Sequence, residues 1–125
     1  MKAKILIIDD SSLARRTLRQ HLEALGHTVE EAADGSTGLE RYHVGTPDVV
    51  ILDMVMSGMY GLDVLSQLVA MNPEVRVIVS TADIQTSTAD QVKAAGAKAM
   101  LNKPVNREKL TATLALVLKG ENTWS

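Results

Sequence analysis

Residues 5–12 read ILIIDDSS, so an apolar run ends on two adjacent carboxylates, Asp9 and Asp10. Neighbouring carboxylates repel, and such a pair calls for a cation, a shared proton or open water. Further along, Asp53 closes the run Val49–Leu52, Ser80 and Thr81 close Val75–Val79, and Lys103-Pro104 follows Ala99–Leu101. Each has an ordinary reading alone, because an Asp after a strand is often a turn residue and a lone Lys a solvated charge. Three carboxylates, a hydroxyl and an ammonium at four separate run ends are harder to dismiss. Hard oxygen ligands without His or Cys suit Mg²⁺, which takes one or two carboxylates and would offset the Asp9–Asp10 repulsion. A carboxylate is also a competent nucleophile for forming an aspartyl phosphate. Phosphoryl transfer asks mainly for alignment and for neutralised phosphoryl oxygens, by metal on one side and Lys on the other. The Thr81 hydroxyl suits a hydrogen bond to a remaining oxygen, and no conventional general base is needed.

The elements that would position these residues alternate along the chain. Ile5–Ile8, Val49–Leu52 and Val75–Val79 are near-continuous aliphatic runs, as expected of strands covered on both faces, and Thr28–Ala32 and Ala99–Leu101 are shorter candidates. Between them lie helical patterns. Over residues 12–25, Ala14, Leu18, Leu22 and Leu25 form one stripe with Gly26 as C-cap. Residues 35–44 and 61–71 follow, the latter stopped by Pro73. Residues 86–95 are weakened by Thr86, Ser87 and Thr88, and residues 106–119 carry Asn106 as N-cap and Gly120 beyond the end. This β-α alternation predicts an α/β doubly wound sheet of five parallel strands with five helices on its two faces. Sites in such sheets gather at the carboxyl ends of the strands. The rim is therefore one place.

Composition narrows the class. A chain of 125 residues fits one domain with a single core. With no Phe, two Tyr and one Trp, that core must be aliphatic. A net charge of −2 argues against generic nucleic-acid binding, and zero Cys excludes disulfides and thiolate chemistry. No segment approaches the ~18 apolar residues of a membrane span, and the N-terminus lacks a signal-peptide pattern. A cytoplasmic protein without direct nucleic-acid or membrane contacts is the expectation.

The segments DDSSLARR (9–16), LDMVMSGMYG (52–61), STA (80–82) and NKP (102–104) resemble the receiver domain of two-component response regulators. The likeness covers essentially residues 1–125, with 120–125 expected as a flexible tail, and DDSSLARR is similar to chemotaxis-type single-domain regulators. The resemblance implies a flavodoxin-like sheet of order 2-1-3-4-5, Asp53 as phosphoacceptor, and Mg²⁺ held by Asp9, Asp10, Asp53 and the backbone carbonyl of Val55. It further implies Thr81 as switch hydroxyl, Lys103 contacting the phosphoryl group, and a cis Lys103-Pro104 bond. A sensor histidine kinase or small phosphodonor would supply the phosphoryl group in a self-catalysed transfer, and the output would be binding rather than turnover. The chain departs from the family pattern at Ser57, where Pro is common, at Met100, where an aromatic is common, and at Val105, often Phe. Val55 and Asp83 stand at the two positions that, by the resemblance, flank the phosphosite and often tune phosphoryl lifetime in the family.

Two other readings compete. A flavodoxin-type electron carrier shares the architecture, but DDSS stands where a phosphate-binding loop belongs, and two carboxylates would repel a flavin phosphate. A degenerate receiver that binds without phosphorylation is opposed by the intact Asp9, Asp10, Asp53, Thr81 and Lys103 set. The histidines His21, His27 and His43 lack ligand spacing, and Met54, Met56 and Met59 read as loop packing. Trp124 is expected to be disordered or lightly docked. The last helix is more apolar than its core stripe of Leu110, Leu114 and Val117 requires, with Ala112, Ala115 and Leu116 to spare. That excess predicts an output face, or a homodimer face, formed by helix four, strand five and the last helix.

Overall fold

A computed structural model describes residues 2–56, 59–83 and 85–124, with the backbone alone at Met59. The chain runs β1 (Lys4–Ile8), α1 (Ser12–Ala24), β2 (Thr28–Ala32), α2 (Gly35–Gly45), β3 (Val49–Asp53), β4 (Val55–Met56), β5 (Met59–Tyr60), α3 (Gly61–Met71), β6 (Val77–Thr81), α4 (Thr86–Ala94), β7 (Ala99–Asn102) and α5 (Arg107–Leu118). The main sheet is parallel, in the order β2-β1-β3-β6-β7, which is the expected 2-1-3-4-5 once the short β4–β5 hairpin is set aside. That antiparallel hairpin was not expected, and its turn residues Ser57 and Gly58 lie outside the described residues. The strand anticipated from Val75 begins at Val77, because Val75 still belongs to a turn in which its N–H donates to the Asn72 carbonyl.

Side-chain alternation along the strands divides the apolar residues between two cores. On one face Ile5, Ile7, Ile51 and Ile78 pack with Leu18 and Leu22 of α1 and with Leu110, Leu114 and Val117 of α5. On the other, Leu6, Ile8, Val50, Leu52, Val77 and Val79 meet Tyr42 of α2, Val64, Leu65 and Leu68 of α3 and Val92 of α4. No Phe is needed, because the β-branched residues of a doubly covered sheet fill both layers. Leu25, placed on the α1 stripe by its spacing, is instead exposed as the C-cap.

Helix ends follow the sequence signals. Ser11 and Asn106 each accept a backbone N–H from three residues on, from Ala14 and Lys109 respectively. Gly26 and Gly120 take φ of +95° and +87° just beyond α1 and α5, a conformation that costs other residues a steric clash.

The N-terminal half of α1 is tied to β2 by Glu31, which accepts from Arg15 Nε at 2.9 Å and from Arg19 Nε at 2.5 Å. The Arg19 hydrogen bond, aided by Arg15, holds the Glu31 carboxyl below its ordinary range against the opposing effect of burial. A depressed carboxyl pKa contributes stability above the ordinary carboxylate range and loses it as pH falls through the lowered value. Glu31→Gln is therefore expected to cost roughly 0.5–1 kcal/mol in urea unfolding at neutral pH, a modest figure because all three side chains are partly exposed. The gap to the wild type should close on acidification. A gap that persists below the carboxylate range would show that packing, not charge, holds this contact.

Within the segment expected as a flexible tail, Thr123 and Trp124 make contacts with the rest of the fold. Thr123 N–H donates to the Lys98 carbonyl at 3.0 Å, and Trp124 Nε1 donates to the Ala97 carbonyl at 2.7 Å while its ring packs on the core covered by α2, α3 and α4. An indole that satisfies its N–H and buries its ring has reason to stay put.

Candidate phosphoacceptor site

Strand pleat aims the site residues. Ile7, Ile51 and Ile78 point into the α1–α5 core, so Asp9, Asp53 and Ser80, each two residues further on, share that face. Thr81 shares the opposite face with Val77 and Val79. Asp9 is 1% exposed and Asp53 6%. Asp10, exposed on the first loop, completes a set in which one oxygen from each of Asp9, Asp10 and Asp53 lies within 4.8 Å of the others.

Lys103 lies between two of these carboxylates. Its Nζ is 2.9 Å from Asp9 Oδ2 and 3.2 Å from Asp53 Oδ1. The β7 end carries it there, since Lys103 N–H donates to the Thr81 carbonyl at 2.8 Å and the following Lys103-Pro104 bond is cis. Asp9 is held from the other side as well, its Oδ1 accepting from Ser11 N–H at 2.9 Å while Arg15 donates to its carbonyl at 2.6 Å. Burial raises the Asp53 carboxyl above its ordinary range, and the Asp9 charge adds to this; Lys103 and the Val55 N–H oppose it without prevailing. Burial works to lower the Lys103 ammonium pKa, but Asp9 and then Asp53 outweigh it, and the group stays charged. One ammonium thus serves two crowded carboxylates.

The structure brings together Asp9, Asp10, Asp53 and Lys103, and places Thr81 on the strand beside them. Val55 follows in β4, its side chain 67% exposed over the rim. The loop back to α3 is closed by Gly61, whose N–H donates to the Met54 carbonyl at 2.7 Å. Beside the carboxylates a groove of about 660 Å³ opens between α1 and α5, walled by Leu13, Ala14, Leu18, Pro104 and Val105.

Three features were not read from the sequence. Ser80 Oγ, on a residue 1% exposed, is the one fully buried side-chain oxygen or nitrogen without a hydrogen-bond partner among the described residues. Asp83 joins the Thr81 loop to α4. Its N–H donates to Thr81 Oγ1 at 3.0 Å, and its carboxylate accepts from Gln85 N–H at 2.9 Å and from the buried Thr88 hydroxyl. These bonds, that of Thr88 first, hold the Asp83 carboxyl below its ordinary range. Thr88, counted as a weak helix former, is thereby a structural tie, and the Asp preceding a helix start was the available signal. The third feature is at His21, which bridges α1 to α5: Arg107 Nε donates to its Nδ1 at 3.1 Å, and Nε2 lies 2.9 Å from Thr111 Oγ1. Its partners stand 86 and 90 residues away in sequence. His27 accepts from Ala3 N–H, and His43 is exposed. Met54 and Met56 are core residues, whereas the Met59 side chain lies outside the described residues.

Comparison with known proteins agrees with this arrangement. The family model for the response regulator receiver domain matches residues 5–115. Protein PilH of Pseudomonas aeruginosa is 38% identical over 120 residues, covering 94% of this chain and 99% of that protein. Response regulator MprA of Mycobacterium ulcerans is 35% identical over 119 residues, and here the match covers 95% of this chain but 51% of the relative, about half its length. Among solved structures, a CheY-like receiver domain protein from Methanospirillum hungatei superposes with a TM-score of 0.90 at 27% identity, covering 96% of each chain. The chain belongs to the response regulator receiver domain family. No helix among the described residues is long and apolar enough to cross a membrane.

Proposed function

We propose that Asp53 is the phosphoacceptor of this receiver domain and that its Mg²⁺-dependent phosphorylation switches partner binding. The observation that carries the reading is the convergence of Asp9, Asp10 and Asp53 oxygens within 4.8 Å, with Lys103 Nζ 3.2 Å from Asp53 Oδ1. Three carboxylates against one ammonium leave an excess of negative charge whose hard oxygen ligands fit a divalent ion. Asp9, Asp10, Asp53 and the Val55 backbone carbonyl would hold Mg²⁺, which when bound offsets charge on the transferring phosphoryl group. An Asp53 oxygen then attacks the phosphorus of the donor. The new O–P bond forms as the P–O bond to the donor's leaving group breaks; a histidine donor instead gives up its P–N bond. Lys103 stabilises a phosphoryl oxygen, and the Thr81 hydroxyl, an acceptor from Asp83 N–H, still has its own proton to donate to another. The chain's own residues carry out the transfer, from a sensor histidine kinase or a small phosphodonor.

The output face is proposed on α4, β7 and α5. Leu110, Leu114 and Val117 are buried while Leu116 is 38% exposed, which leaves apolar surface on α5 beyond the core stripe. The Thr81–Asp83–Thr88 hydrogen bonds give α4 a direct link to the switch hydroxyl. The partner of that face is an output protein or a second copy of the chain, and the setting proposed is the cytoplasm.

Incubation with acetyl phosphate and Mg²⁺ is expected to add one phosphoryl group by intact mass, and chelating the metal should suppress it. No mass gain under these conditions, in protein shown to be folded, would overturn the reading.

A further inference from the structure

Two adjacent carboxylates repel, and the backbone that carries them must be held if both are to face one cation. β1 stops at Ile8 and α1 begins at Ser12, so Asp9 and Asp10 stand in the loop between them. That loop is fixed from β2 and α1. Asp9 N–H donates to the Ala32 carbonyl at 3.1 Å, and the Asp9 carbonyl accepts from an Arg15 terminal nitrogen at 2.6 Å. The two peptide planes that flank the Asp9 Cα are thereby both held. The second leads straight into Asp10, and its orientation decides which way that carboxylate is sent.

The guanidinium suits this task by its shape. Arg15 Nε donates to Glu31 Oε1 at 2.9 Å, which leaves the terminal nitrogens to reach the loop. Glu31 precedes Ala32 in β2. One strand end thus grips Asp9 twice, directly at its N–H and through Arg15 at its carbonyl. The Arg15 side chain is only 17% exposed, and its charge is offset by the Glu31 carboxylate. Arg15 therefore holds the loop with little repulsion toward a cation bound beside it.

We infer that Arg15 is a positioning residue for the metal site. By holding the Asp9 carbonyl it keeps Asp10 turned toward Asp9 and Asp53 against the repulsion among the three. Glu31 in turn orients Arg15. The inference rests on the proposed binding of Mg²⁺ by these carboxylates, and adds to it the side chains that hold the ligands in place.

The sign of the effect separates positioning from charge. Arg15→Met keeps the length of the side chain but removes its donors and its charge. Were Arg15 to act through its charge alone, losing it would tighten Mg²⁺ binding, because one cation would leave the neighbourhood of another. Positioning predicts the reverse. Calorimetric titration with Mg²⁺, each variant held well below its Tm, should show Arg15→Met binding about tenfold more weakly than wild type, a usual effect of losing a group that orients a ligand. Arg15→Lys keeps the charge but gives up the fork whose separate nitrogens reach Glu31 and the loop, and should also bind more weakly than wild type. Arg19 supplies the control, since its hydrogen bonds go to Glu31 and Glu23. Arg19→Met should lower Tm and leave Mg²⁺ affinity unchanged. Unchanged or tighter binding in Arg15→Met, wild-type affinity in Arg15→Lys, or an equal loss in Arg19→Met would overturn the role of Arg15. Failure of the wild type itself to bind Mg²⁺ would instead overturn the metal reading.

Discussion

Asp53→Asn is expected to remove phosphoryl uptake from acetyl phosphate entirely while leaving the protein folded and more resistant to heat. Asn matches Asp in size and occupies the same strand end, but its amide is neither charged nor an effective nucleophile. The gain in stability follows from the site's crowding. Burial and the Asp9 charge raise the Asp53 carboxyl pKa despite the Lys103 ammonium 3.2 Å away, so the folded state holds this charge at a cost. Removing the charge relieves that cost, and Lys103 keeps Asp9 as its partner at 2.9 Å. The sign can be checked against pH. A carboxyl whose pKa is raised on folding lowers stability most where it is ionised in both states, above the raised value. The advantage of the Asn variant should therefore be present at neutral pH. It should vanish below the ordinary carboxylate range, where Asp53 is protonated folded and unfolded alike. Intact mass and thermal denaturation over pH measure both effects. Modification of Asp53→Asn at the wild-type rate would remove Asp53 from the chemistry, and a lower Tm at neutral pH would show that the Lys103 pair outweighs the repulsion.

Gly61→Ala carries the second large effect. A Cβ at Gly61 would lie 2.5 Å from the Asp53 carbonyl oxygen, 2.6 Å from Met54 Cα and 2.8 Å from the Met54 carbonyl oxygen. All three are backbone atoms, so no side chain can swing aside. The loop that returns from β3 is pinned at this point by the 2.7 Å hydrogen bond from Gly61 N–H to the Met54 carbonyl. Adding the methyl must either lengthen that bond or shift α3 from the end of β3. Overpacking against unyielding atoms costs about 2–4 kcal/mol, well above the ~1 kcal/mol that Ala offers over Gly by helix propensity. A fall in Tm on the order of 10 °C is expected, with slower phosphorylation of what remains folded, since the displaced loop directly follows Asp53. An unchanged Tm would mean that the loop adapts without strain.

The sheet and the main site were legible because both depend on local patterns. Continuous aliphatic runs marked β1, β3 and β6 as doubly covered strands, and the strand-end rule made Asp9, Asp53, Thr81 and Lys103 neighbours. What escaped depends on relations that no short window contains. Whether Ser80 has a partner is decided by β3 and β7 together. His21 meets Arg107 and Thr111 only because α1 and α5 share a face of the sheet. The β4–β5 hairpin was hidden for a different reason: two residues per strand are too few to show alternation. Whether Trp124 docks was left open, because its polar surroundings say nothing of the carbonyl at Ala97 that receives its N–H.

The docked indole also fixes what light can report. Trp124 is the only tryptophan, and it hydrogen-bonds at Ala97, before β7 begins, whereas the carboxylates stand at the strands' far ends, about 15 Å along the sheet. An ion or phosphoryl group at Asp53 does not touch this fluorophore. Direct quenching at the site is thus absent, and the emission reads instead the packing of the turn that joins α4 to β7. A change in emission on phosphorylation would then be a message delivered through the protein, and its time course the rate at which the far rim hears of the event.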